Sequence, residues 1–329
     1  MQQDKRRFLG VLGACAALAM PGLGLAQAAY PAKPVRLVVG FPAGSSTDVA
    51  ARVLAERLSG SLGQQFIVDN RPGASSNIAA RNVMSAPADG HTLFLGTIAN
   101  TINASLQPAI SVDISKEFLP VAMVGSVPNL LVAHPSLGVE TVPQLVAKAR
   151  AEPGRIAFAS SGNGTSPHLS GELFSHMAGV RMLHVAYKGS SPAMVDLLAG
   201  QVKLMFAPAS TALPHVREGK LKALASTGLR RSGFAPELPT VAEFKQLGLE
   251  GFETSVWFGL NAPLNTPASV IEKLAAAVQA AQDDPELQSQ YKAQGIEGVK
   301  AGPRDYAQLI RSETEKWARV IKDANVKPE

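Results

Sequence analysis

Cysteine is almost absent from this chain: its single thiol is Cys15. That residue lies in an N-terminal apolar stretch, so the remainder has no disulfide, no thiol nucleophile and no cysteine-based metal site. Aromatic residues make up only 5% of the chain, and no basic run follows Arg7. Together these argue against a nucleic-acid partner. Beyond the N-terminus no apolar run reaches the ~18 residues a membrane helix requires. Catalytic signatures are missing too. There is no GxxxxGK[ST] and no HExxH, and Gly162-x-Gly164 lacks the third glycine and the downstream acid of a dinucleotide site. "SSGNG" is not the GxSxG elbow. His91, His134, His168, His176, His184 and His215 have no metal-ligand spacing. A binding protein is therefore expected, with no cofactor and no metal.

The first residues read as a leader. Lys5, Arg6 and Arg7 precede the apolar "FLGVLGACAALAMPGLGL", and Ala26-Gln27-Ala28 is a small-x-small cleavage site. That order predicts a secretory signal peptide over residues 1–28. The export route stays open, because "KRRFLG" has Lys5 where a twin-arginine signal has its first arginine. Cys15 in "LGAC" is a weaker lipoprotein candidate. About 300 residues remain after cleavage, enough for two ordinary domains. The formal charge of the whole chain is +5, and part of it leaves with the leader. The rest is thin and spread, a field that slightly favours an anionic ligand.

Short β-branched runs alternate with longer periodic stretches. "VRLVVGF", "FIVDN", "TLFLGT", "LPVAMVGSV", "NLLVAH", "RIAFASS", "RMLHVAY", "VKLMFAP" and "LKALASTG" read as strands. Many are apolar without alternation, as parallel strands covered on both faces are. Between them lie amphipathic helices, such as the stripe Val49, Val53, Leu54, Leu58 and Leu62. Ser166-Pro167, Ser191-Pro192 and Thr266-Pro267 look like helix starts, with a hydroxyl to cap free amides. The expected class is α/β with mostly parallel sheets. "GSVPNL" at Gly125–Leu130 and "GFETSVWFGLNA" at Gly251–Ala262 look like two crossovers. They would divide the chain into one lobe of residues 30–126 plus 255–329 and another of 127–254.

In "FPAGSSTD", Phe41 to Asp48, a strand ends, a glycine turn follows and a helix begins near Thr47. First-turn amides lack intrahelical partners and carry partial positive charge. They seat a carboxylate or phosphate without any cationic side chain. Alone, such a loop is an ordinary turn. It recurs, however, as Ser160-Ser161-Gly162-Asn163-Gly164-Thr165 in the other expected lobe, ahead of a helix striped by Leu169, Leu173 and Met177. Two such loops facing each other make a clamp. "HVAYKGSSP" adds Tyr187, Lys188 and Gly189 at a third strand end. Thr97, Asn100 and Asn103 follow a fourth, either lining the cleft or capping a helix. The enzymatic alternative is a small-ester or amide hydrolase using Ser161, His168 and Asp196.

The chain resembles the Bug family of periplasmic solute receptors, the extracytoplasmic components of tripartite tricarboxylate transporters. The likeness rests on "YPAKPVRLVVGFPAGSSTD", "NRPGASSNIAA", "APADGHTL", "HVAYKG", "LLAGQV", "GKLKALASTGLRRS", "LPTVAEF" and "GFETSVWFGLNAP", in that order. It implies a two-lobed, flytrap-like fold of the type II periplasmic-binding-protein kind, with a small organic acid between the lobes. Carried onto this chain, the ligand loops are Phe41, Ala43, Gly44, Ser45 and Ser46, then Ser161, Gly164 and Thr165, with Tyr187 and Gly189 on the strand-end motif. Thr97 joins them from the residue-level reading. The implied partners are the membrane subunits of a tripartite transporter or, alternatively, a sensor kinase; a periplasmic monomer is expected. The chain departs from the family pattern where Ser45 and Ser46 follow "PAG" and where Ser75 and Ser76 stand in a "GAGGN" segment. Lys203 replaces an aspartate often seen in "GQVDLMF".

Overall fold

The computed structural model describes residues 30–327; the expected leader and Cys15 lie outside them. The first strand–helix run comprises β1 (Val35–Val39), α1 (Ser46–Leu62), β2 (Phe66–Asn70), α2 (Asn77–Met84), β3 (Thr92–Thr97), α3 (Ile98–Leu106) and the short α4 (Ile114–Glu117). Then β4 (Phe118–Ala133) leads into α5 (Val142–Ala151), β5 (Ala157–Ser160), α6 (Ser166–Ala178), β6 (Leu183–Ala186), α7 (Ser190–Leu198), β7 (Leu204–Pro208), α8 (Ala209–Arg217) and β8 (Lys222–Ser226). The chain returns through β9 (Ser255–Pro263) and closes with α9 (Ala268–Ala281), α10 (Pro285–Ala293), β10 (Glu297–Gly298) and α11 (Pro303–Asp323).

Strand order is β2-β1-β3-β9-β4-β7-β5-β6, with β8 and β10 also paired to β4. The flanking pairs β1–β2, β1–β3, β5–β6 and β5–β7 are parallel. Their strands are short apolar runs: Val35, Leu37, Val38 and Val39 are fully buried, as strands covered on both faces must be. The centre is antiparallel, because β4 and β9 run back through the sheet against their neighbours. The separate strands expected at "LPVAMVGSV" and "NLLVAH" are one 16-residue strand. Pro128 sits where that strand ends its pairing with β9 and Asn129 begins pairing with β7. A residue with no N–H is tolerated where one ladder hands over to the next.

The larger apolar core lies around β1, β3, β4 and β9; a second gathers Phe158, Phe174, Phe206 and Phe252. Helix α11 anchors to the larger core through Tyr306, Ile310 and Trp317. Tyr306 is fully buried and its hydroxyl accepts from Asn261 Nδ2 at 3.1 Å. Its ring lies against Gly259, where a Cβ would fall 2.0 Å from Tyr306 Cζ. Gly259→Ala should therefore lower stability by about 1–3 kcal/mol, the cost of overpacking. A urea unfolding midpoint unchanged from wild type would contradict this packing.

Candidate functional site

Two adjoining chambers open beside the strand ends. The inner one leaves about 20 Å³ of room for water-sized groups and the outer about 550 Å³, and Phe41 and Ser161 line both. The inner lining is built from helix starts. It takes Ser45, Ser46 and Thr47 at the head of α1, Thr97, Ile98 and Ala99 at α3, and Thr165, Ser166 and Pro167 at α6. Ser190 at the head of α7 and Pro208 before α8 complete it, with Val256 from β9. Five helices thus aim their amino ends at one space. Helix heads carry first-turn amides without intrahelical acceptors and a fraction of a positive charge, although α8 adds only Pro208, which has no N–H, to this lining. No residue of the inner lining carries a formal charge.

The caps decide which amides are already engaged. Ser45 Oγ accepts from Asp48 N–H, and Thr97 with Asn100 forms a capping box on α3. The hydroxyl caps expected beside Pro167, Pro192 and Pro267 do not form. Thr165, Gly189 and Pro267 occupy those cap positions and make no side-chain cap bond. Thr165 Oγ1 instead donates to the Gly162 carbonyl at 2.6 Å, and Thr266 Oγ1 donates to the Pro263 carbonyl at 2.8 Å. Helices α6 and α7 therefore face the chamber with uncapped ends. The Ser161 hydroxyl is buried with no partner. Leaving such a group unmade costs about 1–3 kcal/mol.

Of the expected site residues, Phe41, Ser45, Ser46, Thr97, Ser161 and Thr165 line the inner chamber, and Tyr187 and Gly189 line the outer. Ala43, Gly44 and Gly164 lie outside both linings. The Gly44 N–H donates to Asp48 Oδ2 at 3.0 Å, and the Gly164 N–H donates to His168 Nδ1 at 3.1 Å. With φ of 77° and 68°, these glycines let the two loops turn in a conformation side chains disfavour. Asp48 is buried, which pushes its carboxyl up. Hydrogen bonds from Arg52, the Gly44 amide and Asn70, with the Arg52 charge, outweigh that and hold it below the usual range. Its charge is thus spent inside α1's own loop.

Tyr187 donates to Asp196 Oδ2 at 2.8 Å. Burial first, and then that carboxylate, push the phenol up to about 12, so it stays a donor. The hydrolase grouping does not assemble. Asp196 serves Tyr187, His168 Nδ1 serves Gly164, and His168 Nε2 lies 4.0 Å from Glu172. Sequence reasoning missed Ile98, Ala99, Ser190, Pro208 and Val256 as lining residues. It also missed Asn129, whose Nδ2 donates to Ser166 Oγ at 2.7 Å and ties β4 to the head of α6.

Residues 50–326 match the family described as the tripartite tricarboxylate transporter family receptor. The chain belongs to this receptor family. BugT of Bordetella pertussis is 38% identical over 323 residues, 98% of each chain. Among solved structures, the R. palustris protein Rpa4515 with adipate aligns at a TM-score of 0.87 and 36% identity, covering 91% of this receptor and 100% of that chain. MatC (Rpa3494) from Rhodopseudomonas palustris, with bound malate, aligns at 0.83 and 30% identity over 89% and 100%. The receptor shares the fold of these proteins and of the periplasmic binding protein BugD, which aligns at a TM-score of 0.85 and 33% identity over 91% of this receptor and 100% of that chain. Its family consists of binding proteins rather than enzymes.

Proposed function

We propose that this receptor captures a small organic acid between two lobes, residues 30–126 with 255–329 and residues 127–254. It then delivers the acid to the membrane subunits of a tripartite transporter. A signal peptide over residues 1–28 places it in the periplasm. One carboxylate enters the inner chamber and the rest of the molecule extends into the outer. The observation that carries this reading is the convergence of five helix amino ends on an inner chamber with no charged side chain. Amides bind an anion at a helix head without a counter-charge, and hydrogen bonds to a charged group contribute about 1.5–3 kcal/mol each. The Ser161 hydroxyl supplies one more donor. Acids bound by relatives, adipate and malate, indicate the ligand class.

The lobes close by rotation about the two crossing strands, and closure excludes water, which strengthens each amide contact. The test is a thermal-shift and calorimetric screen with adipate, malate and the uncharged diamide of adipic acid. An acid present at a hundred times its dissociation constant should add about 2.7 kcal/mol of stability, and the diamide should add none. Equal binding of acid and diamide, or no response to any organic acid, would remove the carboxylate reading.

A further inference from the structure

Three successive non-glycine residues stand in the left-handed region: Ala74 at φ 46°, Ser75 at φ 49° and Ser76 at φ 78°. Side chains of L-residues avoid it because Cβ crowds the following carbonyl. Glycine would occupy the same backbone without that crowding. Backbone strain of this kind persists only where the surroundings over-determine it.

What holds Ser75 lies across the cleft. Its Oγ donates to the carbonyl of Asn163, in the loop between β5 and α6. The next carbonyl, that of Gly164, accepts from Asn103 Nδ2 at 3.0 Å. Two donors from separate elements, the segment after β2 and helix α3, therefore grip consecutive carbonyls of the second loop. Asn103 is fully buried and also donates to the Ala99 carbonyl at 2.7 Å, so its own position is fixed. Ser75 sits at the rim, where it and Asn163 line the outer chamber together. Ser76 differs. Its Oγ is buried with no partner, packed where a Cβ on Gly40 would lie 2.0 Å away. It shares the left-handed backbone but makes no side-chain bond across the cleft.

We propose that Ser75, backed by Asn103, is the latch of the closed receptor: a positioning residue that fixes the 163–164 turn over the bound acid and sets how long the closed form lasts. Opening must break both bonds, while approach of the two loops needs neither. This rests on the two-lobed closure proposed above, and the test is arranged so that it does not depend on the ligand.

In the full chain with Cys15→Ser, exposed Glu56 on α1 and Ala147 on α5 are changed to cysteine and labelled with a dye pair. Single-molecule transfer efficiency then reports opening and closing, first without ligand and then with adipate. In Ser75→Gly the lifetime of the closed form should fall about tenfold, a loss equivalent to about 1.4 kcal/mol. The closing rate should hold, and the unfolding midpoint should rise as strain is relieved. Ser76→Gly should raise the midpoint and leave the lifetime alone. Asn103→Ala should shorten the lifetime in the same direction as Ser75→Gly. A closed lifetime unchanged in Ser75→Gly, or shortened equally in Ser76→Gly, overturns the latch. If no acid binds, the ligand-free lifetimes still decide it, so failure of the carboxylate reading is seen separately.

Discussion

Ser46→Asp should weaken carboxylate binding about a thousandfold while leaving the receptor as stable as before or more so. Ser46 is the first residue of α1, is 4% exposed and lines the inner chamber. A carboxylate at a helix head is welcome to the helix, contributing about 0.3–2 kcal/mol depending on burial. In the binding mode proposed above, the ligand carboxylate seeks the same place. Two negative charges about 4 Å apart at an effective dielectric near 20 repel by about 4 kcal/mol, which corresponds to about three decades in affinity. Ser46→Asn is the matched control: similar in size, uncharged, and expected to lose far less. The opposed signs are what make the pair informative. A general folding defect would lower the melting temperature with the affinity, whereas a self-supplied anion would raise or hold it. Calorimetry with the acid that the unaltered receptor binds reads the first effect, and thermal unfolding of the empty protein reads the second. A dissociation constant for Ser46→Asp within a few-fold of wild type would mean that the ligand does not use the head of α1.

The sequence makes the two serine-rich loops legible because each joins a strand to a helix through glycine. That pattern announces both the turn and the exposed amides. Thr97 is legible on the same terms, and in the structure it caps α3 and lines the chamber at once. Pro208 is not legible. It ends β7 and opens α8 without a glycine, so "FAPAST" reads as an ordinary strand end. Val256 is hidden for another reason: an apolar residue in a buried strand looks like core, and only the pairing of β9 with β4 places it beside the chamber. The α/β alternation follows from local periodicity, whereas the antiparallel centre depends on the directions of two long strands, which local pattern does not encode. The grip of Asn103 on Gly164 joins residues 61 positions apart; neither residue type nor spacing signals it.

Acid should destabilise this receptor well before its carboxylates protonate, and His168 is the reason. The ring is 2% exposed, stacked on His184 with centroids 4.0 Å apart, and its Nδ1 accepts the Gly164 N–H. Burial first, then the neighbouring His184, lower its pKa from 6.5 to about 3. The sign follows from linkage. The unfolded chain binds this proton near the ordinary histidine pKa, while the folded chain refuses it until far lower. Stability from this site is therefore complete above about pH 6.5 and is lost as pH falls toward 3, at up to about 1.4 kcal/mol per unit. Between pH 7 and pH 5 that amounts to about 2 kcal/mol. Asp48, whose pKa is also lowered, has the same sign but acts only near and below the ordinary carboxylate range, so the two windows separate. Urea unfolding at pH 7 and pH 5 should show the loss in wild type and little of it in His168→Gln, whose side-chain oxygen can still accept from Gly164 but takes up no proton. Equal losses in the two proteins would remove His168 as the cause. Should they differ as expected, the second loop owes its shape to a neutral imidazole: protonated Nδ1 would be a donor facing a donor, and the turn at Gly164 would lose the acceptor that holds it.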